Sequence, residues 1–126
     1  MPVSMEYHEA ERVVHYIATD PWTIDEMNDI LDRARAIYDN APQRIYTIVD
    51  VSQAKHMPQG VMRGRANPEF THPNVAGLLI VGASVLVRTI TGVVAKLANS
   101  DRIHFFEKLD DAWAFVRSET SAEAGK

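Results

Sequence analysis

The chain has 126 residues, 46% of them hydrophobic, with a formal net charge of −4 and no cysteine. That length and apolar fraction suit one domain with a single core. The acidic balance argues against nucleic-acid binding, for which Arg63 and Arg65 are too small a basic patch, and the lack of thiols excludes disulfides and thiolate-held metal.

The opening MPVSMEYHEAER has no basic stretch followed by an apolar one, so no signal peptide is expected. The longest apolar run, VAGLLIVGASVLV at 75–87, is broken by Gly and Ser and is too short to span a bilayer. A cytoplasmic protein without a membrane span is the expectation.

Residues 5–18 read as two strands of a hairpin, with Glu9, Ala10 and Glu11 at the turn. Val14, Tyr16 and Ala18 alternate there with Val13, His15 and Ile17. Thr23 to Glu26 form a capping box, which predicts a helix over 24–39. Ile24, Met27, Ile30, Leu31, Ala34, Ile37 and Tyr38 recur along one face of it, and Asn40 and Pro42 end it. RIYTIVDV at 44–51, VAGLLIV at 75–81 and RIHFF at 102–106 are β-branched and apolar, as in strands covered on both faces. Helices are predicted at about 59–66, 84–98 and 109–117, the second opened by Ser84 as N-cap. The small, polar residues 118–126 are expected to form a flexible tail behind a single domain over 1–117. The predicted fold is therefore α/β, in the order ββαβαβαβα. Its five-stranded sheet is mixed but mostly parallel, with an N-terminal β-hairpin at the edge.

With this order in place, PWTIDEMNDIL, the strand ending IVDVS, the strand HPNVAGLLIVG and the closing FFEKLDDAWAFV resemble STAS-like domains, the family of anti-sigma factor antagonists. The likeness covers roughly residues 5–117 and is nearest to single-domain bacterial STAS-like proteins. It extends at superfamily level to the lipid-carrying CRAL-TRIO domains. The resemblance implies a regulatory or protein-interaction module without catalytic activity. In the antagonists, a serine at the start of the helix after this strand is phosphorylated. Here Asp50, Val51 and Ser52 match the strand end, but Pro58-Gln59-Gly60-Val61 stand at the switch stretch and carry no hydroxyl.

The candidate residues divide into two surfaces. Asp50, Ser52, His56, Met57, Gln59 and Met62 are candidates for a partner or ligand surface around the turn after IVDVS. Asp50 and Ser52 read first as turn residues that bind the backbone. A pocket beside 57–70, lined from the strands by Ile48, Val49 and Leu79, is the alternative, and would take a small hydrophobic, lipid-like ligand. The second surface is the outer face of the helix at 84–98. Val93, Leu86, Leu97, Ile90, Val94 and Val87 form its core arc, which leaves Val85, Arg88, Thr89, Gly92, Ala95 and Lys96 outward and poor in charge. A homodimer contact, or a regulatory protein partner, is expected there.

No catalytic residues are expected. The five histidines show no helical i, i+4 pair and no His-Glu-x-x-His pattern, so no metal and no cofactor are expected either. His15 and His104 read as hydrogen-bonded structural residues within strands. An enzyme would need Asp50 together with His56 or His72.

Overall fold

The computed structural model describes residues 3–54, 72–97 and 102–124. Strands β1 (Val3–His8), β2 (Val13–Thr19), β3 (Ile45–Gln53), β4 (Val75–Val81) and β5 (Ile103–Phe106) form one sheet in that spatial order. β1 and β2 pair antiparallel, and all later neighbours pair parallel. Among the described residues there are three α-helices: α1 (Ile24–Asn40), α2 (Val85–Leu97) and α3 (Leu109–Ala124). The expected mixed, mostly parallel α/β sheet with an N-terminal hairpin is therefore present. The predicted short helix at 59–66 lies outside the described residues.

The hairpin closes through one 3₁₀ turn over Glu9–Glu11, where the Arg12 N–H donates to the Glu9 carbonyl at 3.2 Å. The start of α1 follows from its cap. The Thr23 hydroxyl oxygen accepts from the Glu26 N–H at 3.1 Å and donates to the Glu26 carboxylate at 3.1 Å. The carboxylate thus closes the box on the hydroxyl rather than on a backbone N–H. Ser84 caps α2 as expected, its Oγ accepting from the Val87 N–H at 3.2 Å.

Strand alternation divides the side chains between two cores. Val14, Tyr16 and Ala18 of β2 pack with Ile30, Leu31, Ala34 and Tyr38 of α1, and with Ile45 and Val51 of β3. Val13, Tyr46, Ile48, Leu79 and Val81 face the other way, against Ala112 and Val116 of α3. Each parallel step advances by one strand in the same direction, so right-handed crossovers put α1 and α2 on one face. Phe105, which packs on the α1 side, accordingly lies under the Arg88 guanidinium of α2, 5.7 Å from its ring centre. Among the described helices only α3, which follows the last strand, covers the opposite face, where it lies over β3, β4 and β5.

α3 continues to Ala124, through residues expected to form a tail. Val116 is buried against the sheet, and the half-buried Thr120 hydroxyl donates to its carbonyl at 3.0 Å, which carries the helix past Arg117.

The core under α1 contains a buried hydroxyl chain. Tyr38 Oη lies 2.6 Å from Thr47 Oγ1 and 3.4 Å from Tyr16 Oη, and all three residues are buried. Removing the central hydroxyl leaves a buried polar group without that partner. The Tyr38→Phe variant is expected to lose about 1–3 kcal/mol in urea unfolding, with the m-value unchanged. A loss of no more than a few tenths would show that this chain does not fasten α1.

Candidate functional site

The hairpin register sets Glu6 directly opposite His15. Because side chains alternate, Glu6 and His8 of β1 share the α3 face with His15 of β2. His8 Nε2 lies 3.3 Å from Glu6 Oε2. One ligand atom from each of Glu6, His8 and His15 falls within 4.8 Å of the other two. Trp113 of α3 closes the inner side, set edge-on to both imidazoles, with ring centres 5.2 Å from His8 and 6.3 Å from His15. Arg117, one helical turn further on, stacks over Trp113 at 5.5 Å and pairs with Glu11 at 3.7 Å.

His15 is only 7% exposed, and its Nε2 is buried without a hydrogen-bond partner. This corrects the expectation of a hydrogen-bonded structural histidine. The neighbours that the register supplies are an acid, a second imidazole and an indole, and none donates to or accepts from that nitrogen. Burial is the main cause that pushes the His15 pKa below its ordinary value, and His8 adds to it. Asp50 and Glu6 pull the other way.

Asp50 lies on the same face of the next strand, opposite Ile17. Its Oδ1 accepts the Ser52 N–H at 3.0 Å and the Ser52 hydroxyl at 2.6 Å. The expected backbone-binding role is thus present for Asp50, whereas the Ser52 hydroxyl binds the Asp50 carboxylate instead of the backbone. The location differs, because β3 runs to Gln53 and pairs it with Thr19, which places Ser52 within the strand rather than in a turn. Ser52 is also tightly enclosed. Gly82 has φ +72°, and a Cβ there would stand 2.6 Å from the Ser52 Cβ. Gly82→Ala is expected to cost about 1–3 kcal/mol through strain and this clash, read as a lowered Tm. An unchanged Tm would mean that the turn after β4 relaxes freely.

His72 does not meet Asp50. It precedes β4, where its Nε2 lies 2.7 Å from Asp39 Oδ1, and its Nδ1 accepts the Asn74 N–H at 3.0 Å. Asp50 pairs with Val81 at the other end of that strand. Strand length therefore separates the acid from this histidine. His56, Met57, Gln59 and Met62 lie outside the described residues, as does the segment 57–70. The proposed strand lining of that pocket is corrected. Ile48 and Leu79 are fully buried in the core under α3, whereas Val49 packs on the α1 side, so the three cannot face one cavity.

The outer face of α2 is exposed at Val85, Thr89, Gly92 and Lys96, with Val85 81% exposed; Arg88 is exposed too, but its guanidinium folds back over Phe105 of β5. Nothing lies within 4 Å of a Cβ built on Gly92. Val93 was expected in the core but is 48% exposed. It stands at the rim of the apolar arc, one turn from Thr89 and two from Val85, and so extends the outer stripe. Ala95 belongs to the helix, but its side chain lies outside what is described.

The sequence reading missed Glu6, His8 and Trp113. Its signal was cross-strand: Glu-x-His on one strand of a hairpin, with a histidine facing the acid on the other. A search for helical histidine spacing does not reveal it. Against protein-family models, curated proteins and solved structures, the chain has no match. No helix among the described residues is long and apolar enough to cross a membrane.

The His15 imidazole supplies a direct check. Its folded-state pKa lies below the free value of 6.5, so the folded protein holds fewer protons there than the unfolded chain. This contribution to stability is complete above pH 6.5 and is lost as pH falls from 6.5 through the folded value. Heteronuclear NMR of metal-free protein should place the His15 midpoint below 6.5; a midpoint at or above 6.5 would contradict the burial argument.

Proposed function

We propose that the chain is a non-enzymatic regulatory or protein-interaction module of STAS-like type that self-associates through α2. The observation that carries this reading is the outer face of α2. Val85 and Val93 are exposed there, one on each side of Thr89, and Gly92 between Thr89 and Lys96 leaves open space for an approaching surface. The exposed part of that face has basic residues, Arg88 and Lys96, and no acid, whereas α1 carries Asp25, Asp29, Asp32 and Asp39. A C2 contact would bury the two valines against their copies.

Two features support the absence of catalysis. Ligands in open α/β sheets bind where the strand order reverses. From β2 to β5 the order advances without reversal, so the strand order holds no such switch point. The Asp50 carboxylate is engaged by Ser52, and His72 by Asp39, so neither forms an acid–base pair with the other. The missing hydroxyl at 58–61 supports a module without the phosphoswitch of the antagonists. The reading places the protein in the cytoplasm, where such a module meets its protein partner.

Gly92→Glu tests the assembly. The new side chain has room, and replacing a helical glycine favours the monomer's own helix. The variant is expected to stay folded by circular dichroism while native mass spectrometry shows dimer converted to monomer. A wild type that is monomeric at high concentration would refute self-association through α2.

A further inference from the structure

We propose that Glu6, His8 and His15 form a binding site for a divalent transition-metal ion, with zinc the best match. Two imidazole nitrogens and one carboxylate oxygen make a donor set of borderline softness. That set suits zinc and its first-row neighbours, and does not suit magnesium or calcium, which take oxygen ligands.

The second observation, independent of the clustering, is the state of the imidazoles. His15 is more than nine-tenths buried, and its Nε2 has no hydrogen-bond partner among the described residues. His8 Nε2 is likewise screened from solvent and unbonded: it lies 3.3 Å from Glu6 Oε2 but is not aligned to donate to it. A buried nitrogen without a partner is costly. Two of them beside one carboxylate are explained if each keeps its proton on Nδ1 and offers the Nε2 lone pair to a cation.

The geometry is close to what an ion needs. The three donor atoms lie within 4.8 Å of one another. Ligands of a tetrahedral zinc stand roughly 3.3 Å apart, since each bond is about 2.0–2.1 Å. Side-chain rotation closes that gap: Glu6 is exposed and His8 sits on the edge strand, so both can move toward the fixed His15. Asp50, on the neighbouring strand, adds negative potential that acts on His15. Arg117 pairs with Glu11 and stacks over Trp113, so its charge is engaged beside the cluster. The exposed Glu6 side leaves the fourth position open to water or to a ligand from outside.

Because the donors come from both strands of the hairpin, the ion would pin β1 to β2. Zinc titration of tag-free, chelator-treated protein by calorimetry should show one ion per chain and a rise in Tm. His8→Ala and Glu6→Gln should each weaken zinc binding by about tenfold or more, and abolish most of the Tm rise. His72→Ala should change neither. Both informative variants alter residues that are at least partly exposed, so the fold should survive; circular dichroism of each variant checks this. Trp113 gives a second readout. In a Trp22→Phe background, where Trp113 is the remaining indole, copper(II) should quench the fluorescence, and His8→Ala should remove the quenching. Failure of zinc to bind, or binding unaffected by both His8→Ala and Glu6→Gln, would overturn the site.

Discussion

The winding of the sheet governs everything else in this molecule. From β2 to β5 each parallel crossover advances by one strand in the same direction, so the handedness of the crossovers commits α1 and α2 to one face. The other face depends on whatever follows β5. Among the described residues that is a single helix, α3. A helix is about 10–12 Å across with its side chains. Five strands spaced about 4.8 Å apart are roughly 19 Å wide. One helix cannot cover them all, and α3 is placed over β3, β4 and β5.

The consequence falls on the hairpin. On the α3 face, the hairpin strands carry Glu6, His8 and His15, whereas Ile48, Leu79 and Val81 beneath the helix are apolar. Trp113 bridges the two regions, with a flat apolar ring against the imidazoles and its own helix packed on the core. One sheet face thus passes from apolar residues under α3 to polar ones on the hairpin.

Among the described residues, element type and order were legible because each depends on local pattern. β4 begins and ends as its apolar run does, and the α1 cap follows from Thr23 and Glu26. Three things were not legible, and each depends on register or on a partner distant in sequence. Ile48 and Val49 look alike in the run RIYTIVDV, but one residue of offset sends them to opposite cores. Val93 belongs to the apolar arc of its helix by periodicity but is half exposed, because periodicity does not say how much of an arc the sheet covers. Glu6 and His15 become neighbours only once the 3₁₀ turn fixes which residues of the hairpin face each other.

The two surfaces read from this structure lie on opposite sides of the sheet. The outer stripe of α2 is on the α1 side, and the Glu6, His8 and His15 cluster is on the α3 side. Stacked layers are spaced by about 10 Å, and effects at sites separated by more than 7–10 Å usually add. The proposed assembly surface and the proposed hairpin ion site would change independently, because no helix among the described residues belongs to both. Communication between them would have to pass through β2 and β3, the strands that carry His15 and Asp50 on one face and Tyr16 and Thr47 on the other. Those strands are also where the buried hydroxyl chain fastens α1. The sheet and its buried hydroxyl chain thus lie between the two proposed surfaces, which favours a protein whose interactions on the two faces are set separately.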